Sequence, residues 1–253
     1  MTPTIHLVRH AQGYHNLSVA NETMRDPDLT PLGEQQCRDL RAAFPHHARL
    51  AHLVASPMRR TLYTCILAFG DGPAAPYPVA ALDTLQELSD LPSDTGSSVA
   101  ALADEFGAAK VDLSRVRDGL WTDKMGDTPF EPTKEKIEAR AREARRTLRE
   151  MVGLDSDAHV VVVTHGAFLH FLTDEFQDIA DGNATSWKNC EYRSYQFVDA
   201  SGQDDGAAIV ETDESWQRRR GDKPRLSQHD LDELRTVAQG RIVPHLKAAA
   251  SRL

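Results

Sequence analysis

The sequence predicts an α/β protein, a three-layer αβα sandwich around a mostly parallel central sheet. Three observations lead there. Short β-branched and apolar runs at residues 4–8, 53–55 and 159–164 each stop at polar residues. Each is followed by a helical pattern, and alternating strand and helix is the signature of a parallel sheet covered by helices. A chain of 253 residues, 40% hydrophobic and 26% charged, can bury a large core, and no fixed-period repeat or long linker divides it. A single domain over 1–253 is therefore expected.

Residues 4–8 form the first strand and deliver Arg9 and His10 at its C-terminal end, the edge where open α/β sheets bind ligands. Thr30 and Pro31 supply an N-cap and a first-turn proline, and Glu34 suits the positive helix end. Gly33, Cys37, Leu40 and Phe44 then mark the inward stripe of a helix over 31–44. A second strand at 53–55 leads through Ser56-Pro57 into a helix carrying Leu62, Ile66 and Phe69, ended by Gly70-Asp71-Gly72-Pro73. Residues 82–88 read as a strand running into a loop, 89–98 as turns and 99–106 as a short helix, the last two within an irregular insertion around 88–132. The clearest helix is 133–152, where Ile137, Ala141, Ala144, Leu148 and Met151 recur at helical spacing. Its arginines at 140, 142, 145, 146 and 149 are interspersed with glutamates and read as a solvated, paired face. Residues 159–164 form a strand ending at His165-Gly166, followed by a helix over 167–174. Residues 192–198 and 207–212 read as strands of a hairpin, and the tail 227–253 is helical in composition, interrupted near Gly240 and Pro244.

Charge narrows the function. With 29 Lys and Arg against 38 Asp and Glu, the net charge of −9 argues against a nucleic-acid partner, because phosphate contacts dominate such affinity. Any anionic ligand must be met by a local cluster of cations. The longest strongly apolar run, 160–163, falls far short of the roughly 20 residues that span a bilayer, so no membrane partner is expected. The N-terminus carries no secretory pattern, and Cys37, Cys65 and Cys190 are too scattered for a disulfide framework or zinc knuckle. A cytoplasmic, reducing setting is expected, and the oligomeric state stays open.

Three strand ends present His or Arg: Arg9-His10, Arg59-Arg60 and His165. If those strands are neighbours, the residues converge, and a histidine among arginines stays neutral and nucleophilic near pH 7. Cations around a neutral nucleophile suit phosphoryl transfer. Four segments make the pattern specific: Arg9-His10-Ala11 with Asn16, Leu29-Thr30-Pro31-Leu32-Gly33-Glu34-x-Gln36, Ser56-Pro57-Met58-Arg59-Arg60-Thr61 with Thr64, and Thr164-His165-Gly166. In this order, over residues 5–170, they resemble the histidine phosphatase superfamily, in its phosphoglycerate-mutase-like branch and its fungal-type members.

The resemblance implies a phosphoglycerate-mutase-like fold and a role for each matched residue. His10 would be the nucleophile that becomes a phosphohistidine. Arg9, Arg60 and His165, with Gly166 beside them, would hold the phosphoryl oxygens, and Asn16 would add a polar contact. Glu87 stands near the position of the family's acid/base carboxylate, with Asp90 next in line and Asp83 and Asp94 nearby. No metal or cofactor is implied. Arg59 reads as a surface residue or secondary phosphate contact, and His170 as a supporting residue. His6, His15, His46 and His47 lack motif support and read as structural or solvent-facing.

The expected reaction is metal-independent hydrolysis of a small phosphorylated metabolite. A mutase is disfavoured: residues 88–94 are acidic and lack the cations with which, as the resemblance implies, mutases clamp a second anionic group. Gly13 also replaces the Ser or Thr common there in mutases. Lys124, Lys134 or Arg218 to Arg220 could add charge at the pocket mouth. Trp121, Trp187, Trp216, Phe130 and Tyr192 are either core or a cap for an apolar leaving group. A phospholigand-binding scaffold, and acid/base chemistry on a metabolite, are the readings from other classes. A His10, His165 and Glu87 metal site lacks any familiar ligand spacing.

Overall fold

Neither face of β1 (Thr4–Arg9) or β5 (His159–Thr164) offers a polar stripe, so both strands must be covered on both sides. In the computed structural model, which describes residues 2–70, 72, 75–153 and 157–247, they lie side by side at the centre of a seven-stranded sheet. β2 (Leu50–Ala55), β3 (Val79–Ala81) and β4 (Val111–Asp112) extend it in the order β4-β3-β2-β5-β1, all parallel. β6 (Tyr192–Phe197) and β7 (Ile209–Glu211) continue it beyond β1 as antiparallel strands, matching the expected hairpin.

Helices cover both faces. On one face α1 (Pro31–Ala43), α2 (Arg59–Phe69) and α3 (Val99–Phe106) bury Cys37, Leu40, Leu62, Cys65 and Leu102 against Val8, Val161 and Val163. On the other, α4 (Lys134–Val152), α5 (Gly166–Thr173) and α7 (Gln228–Ile242) pack Ile137, Leu148, Phe168 and Ile242 against Ile5, Leu7, Val160 and Val162. The three-layer sandwich with a mostly parallel sheet is as expected. The helix starts follow from capping: Thr30, Ser98, Thr133, Thr212 and Ser227 each accept a backbone N–H of the first turn, the last two opening α6 (Asp213–Arg220) and α7.

Three expectations are corrected, and one helix was missed. The strand expected over 82–88 lies earlier, at Val79–Ala81, because the chain leaves the sheet at Leu82, whose N–H takes the Ala55 carbonyl. The carbonyls of 84–87 are then satisfied by side chains instead of a ladder. Arg140 does not belong to a solvated face: it is 3% exposed and donates to the Thr84, Gln86 and Glu87 carbonyls. α7 runs through Gly240 and stops at Ile242, where a short turn containing Pro244 follows. α6, containing Arg218 to Arg220, was not read from the sequence. Its hydrophobic face is a single buried Trp216, too little to make a period.

The insertion around 88–132 contributes α3 and the edge strand β4 and is otherwise built of turns. Asp71 and Pro73 of the expected helix stop, and residues 248–253 of the tail, lie outside the described residues. Among the described residues no helix is long and apolar enough to cross a membrane.

Candidate active site

Parallel register builds the site. β1 and β5 pair Arg9 with Thr164, so the next residue of each strand, His10 and His165, emerge side by side with ring centres 5.3 Å apart. β2 pairs Ala55 with Val163, which places Ser56 and the start of α2, with Arg60, at the same sheet edge. Arg60 is fully buried and donates to the Ser93 carbonyl at 2.6 Å, to Asp94 Oδ1 at 3.1 Å and to His165 Nδ1 at 3.0 Å. A guanidinium can only donate, so His165 Nδ1 accepts and its Nε2–H donates to Ser56 Oγ at 2.9 Å.

The same logic fixes His10. Its Nδ1 lies 2.7 Å from the Ala11 carbonyl, which can only accept, so Nδ1 carries the proton and Nε2 the lone pair. Burial, then the charges of Arg60, His15 and Arg9, hold the His10 imidazole well below its ordinary value, and it stays neutral. Burial followed by Arg60 does the same for His165.

The loop carrying His10 is braced by the second motif. Gln12 N–H donates to Gln36 Oε1, the Thr30 hydroxyl donates to Gln12 Oε1, and Gly33 presses on the Gln12 carbonyl so closely that a Cβ would stand 2.2 Å from it. Thr64 of the third motif accepts the Ala11 N–H at 3.0 Å. The Asn189 amide donates to the His10 carbonyl at 2.9 Å.

Glu87 caps α5. Its Oε1 accepts from the N–H groups of Phe168 and Leu88 at 2.9 and 3.1 Å, and its Oε2 from Ala167 at 3.2 Å. Those donors and Arg60 favour the carboxylate, yet burial and the nearby Asp94 outweigh them and raise its pKa. The Lys124 ammonium is buried beside it, donating to the Glu87 carbonyl, and burial with Arg140 brings Lys124 down to about 7. Of the other carboxylates considered, Asp83 is held by Arg117 and Asp94 by Arg60 and Ser89. A cleft of about 690 Å³ opens over Glu87, walled by Leu88, Leu91, Asp94 and Ala167 and roofed by Ile242 and Leu246.

Three donors in this cluster are buried without a partner: Arg9 Nε, Arg60 Nε and His15 Nδ1. Asn16 accounts for the third. Its Oδ1 accepts the Gly13 N–H and its amide donates to His15 Nε2 at 3.1 Å, leaving His15 protonated on Nδ1. Asn16 is itself exposed and acts at one remove. His15, read as structural or solvent-facing, stands 5.4 Å from His10 between ring centres, and burial with Arg60 and Arg9 lowers it to about 2. Nothing in the sequence singled it out, since it lies five residues beyond His10 across a non-helical loop. Gly166 leaves room for Arg9, whose Nε would lie 3.0 Å from a Cβ there.

Arg59 is paired with Asp28 and Glu105 on the surface. Arg218 to Arg220 pack around Tyr192, Trp216 and Asp178, lining a separate cleft, and Lys134 faces Glu138. Trp121, Trp187 and Phe130 are core, and none of the five aromatics walls the cleft over Glu87. His170 is a buried support whose Nε2 meets Thr185, which in turn donates to the Gly166 carbonyl.

The sequence profile of the histidine phosphatase superfamily (branch 1) matches residues 5–204. The chain belongs to the histidine phosphatase superfamily. Among its relatives in that superfamily is a phosphoglycerate mutase-like protein of Arabidopsis thaliana, 31% identical over 244 residues, covering 78% of this chain and 84% of that one. The phosphoglycerate mutase-like protein 1 of the same organism is 27% identical, with 78% and 82% covered. The superfamily fold recurs in the ecdysone phosphate phosphatase of Bombix mori, at TM-score 0.56 and 13% identity, covering 90% of this chain and 99% of that one. It recurs also in Bacillus stearothermophilus YhfR, at TM-score 0.50 and 20% identity, with 88% and 98% covered.

Proposed function

We propose that the protein is a phosphatase that hydrolyses a small phosphomonoester through a phosphohistidine at His10, without a metal. The observation that carries this reading is the set of three buried, unpartnered N–H donors of Arg9, Arg60 and His15 around a histidine whose Nε2 lone pair is free. Buried donors of this kind occur elsewhere in the fold as well, but these three belong to residues whose charge or ring faces His10, and a phosphoryl group bound there would offer the oxygens they lack. His10 Nε2 attacks phosphorus as the bond to the leaving oxygen breaks, and that oxygen takes the proton from Glu87. The Glu87 carboxylate then removes a proton from the water that attacks the phosphohistidine, returning His10 to its neutral state. The guanidiniums of Arg9 and Arg60 offset charge on the equatorial oxygens, and His165, tied to Arg60, holds the geometry.

Hydrolysis is favoured over mutase activity by the cleft. Its wall carries Glu22, Asp94 and Asp181, and its one arginine, Arg241, is paired with Asp181. Burial lowers Lys124 to about 7 and so weakens its charge near neutrality. A second anionic group on the substrate therefore meets repulsion, whereas the Leu88, Leu91 and Leu246 side accepts an uncharged leaving group. His10→Ala should lower kcat on an aryl phosphate by about 10³-fold or more while the far-UV circular dichroism stays native. Wild-type turnover in that variant would refute the mechanism, and wild type quenched in alkaline detergent, where a P–N bond survives, should yield a phosphorylated His10 peptide. Activity should survive excess chelator, and complete loss would favour a metal-dependent reading.

A further inference from the structure

At the opposite end of the same strands from His10, three histidines meet: His6 of β1, His159 of β5, and His46 in the turn after α1. The sheet brings them there. Thr4 pairs with His159, so His6, two residues further along, lies diagonally across on the same face, and the turn after α1 lowers His46 onto both. Their ring centres form a nearly equilateral triangle with sides of 4.8, 5.0 and 5.2 Å. A tetrahedral cation with Zn–N bonds of about 2.0–2.1 Å holds its imidazole ring centres about 5.2 Å apart.

We infer that His6, His46 and His159 form a binding site for a divalent transition-metal ion of the zinc class, separate from the phosphoryl pocket. One nitrogen from each ring lies within 4.8 Å of the other two. His6 Nε2 and His159 Nδ1 are 2.8 Å apart and share a proton, which a cation replaces as the pair widens to about 3.3 Å. His46 is half-buried on a turn and closes the remaining gap by rotating its side chain. The outer support of such a site is present: His6 Nδ1 lies 2.9 Å from Ser194 Oγ, directly across the β1–β6 pair, which orients the ring and leaves Nε2 for the metal. A cleft of about 350 Å³ opens beside the triad, rimmed by Thr2, Arg49, Asp157 and Glu214, and admits a water or carboxylate as the fourth ligand. Arg49 is offset by Asp157 at 3.7 Å, and Glu214 supplies negative charge.

Three nitrogen ligands select zinc, cobalt, nickel or copper over magnesium and calcium.

The test is titration of the full-length protein with zinc chloride, and with magnesium chloride as control, by calorimetry, alongside cobalt(II) followed by its visible absorption. The expected result is one zinc per chain in the micromolar range or tighter, no magnesium heat, and cobalt bands of a tetrahedral nitrogen-rich site. His46→Ala, at a half-buried turn position, should weaken zinc by at least about tenfold while keeping its metal-free melting temperature. His159→Gln should do the same. Absence of zinc binding, cobalt bands of octahedral type, or undiminished binding in His46→Ala would overturn the assignment, the last by placing the ion on His10 and His165 or on exposed histidines.

Discussion

Among single residues, Glu87 has the most demanding task, because its two oxygens are not equivalent. Oε1 accepts two backbone N–H groups and Oε2 one, so Oε2 has the freer lone pair and, in the proposed mechanism, would carry the proton. Its raised pKa would then set the alkaline limb of activity, while the strongly lowered His10 would remove a nucleophile's own titration from the acid side. Glu87→Gln, which can keep the two N–H bonds now made to Oε1 but gives up the one from Ala167, should cut kcat on an alkyl phosphate by about 10²–10⁴-fold. On an aryl phosphate, whose leaving group needs little help, it should give a burst of phenol followed by slow turnover. A uniform loss on both substrates with no burst would exclude Glu87 as the proton carrier. His10, Arg9, Arg60 and His165 were readable from the sequence because each sits at or just beyond a strand end, where backbone register decides its neighbours. His15 was not, since only the folding of a short turn brings it close, and Lys124 was one of several candidate cations that only the folding of the 88–132 segment could single out.

Elements matter here as braces. α1 supports the nucleophile loop by direct contact between Gly33 and Gln12, and the bond from Thr30 to Gln12 fixes the angle. Gly33→Ala places a methyl 2.2 Å from a carbonyl oxygen and forces the helix away. The expected cost is about 1–3 kcal/mol of stability, read as a lowered urea midpoint, together with a reduced kcat as His10 shifts. An unchanged midpoint would mean that the loop yields instead of the helix. α4 plays the same part for Glu87 through Arg140, and three of its other four arginines reach the turn between β6 and β7: Arg145 to the Gly206 carbonyl, Arg149 to that of Asp204, and Arg146 to Asp205. The periodicity of α4 was legible, but the direction of its arginines was not. A long cationic side chain looks alike in sequence whether it ends in water or on buried carbonyls.

For the whole molecule, buried histidines set the response to acid. His6 and His15 are lowered to about 2, His159 and His170 to about 4, and His10 and His165 far below their ordinary value, burial being the first cause in each. Below the ordinary value of 6.5 the unfolded chain therefore binds more protons than the fold, and stability falls with falling pH. Each of the deeply buried ones contributes up to about 1.4 kcal/mol per pH unit below 6.5, and the more solvent-screened His159 less. The raised Glu87 and Glu175, the latter at about 6, act oppositely over a narrower window. The urea midpoint should drop from about pH 7.5 to about 5.5, and a flat profile would count against neutral burial of these rings. The overall architecture was legible from three strand-to-helix junctions. What the sequence hid was the traffic of side chains onto backbone carbonyls around residues 84–87, which no period records.

The strand order β4-β3-β2-β5-β1-β6-β7 has a consequence for biosynthesis. β5 is the wedge between β1 and β2, and it is made about 150 residues after β1. Until it leaves the ribosome, β1 and β2 each lack a neighbour, the valine-lined centre is missing, and His10 and Arg60 have no common edge on which to meet. A nascent chain of this protein is thus all scaffold and no site until its last third is being translated, and for that interval its apolar strand edges are open to the wrong partners.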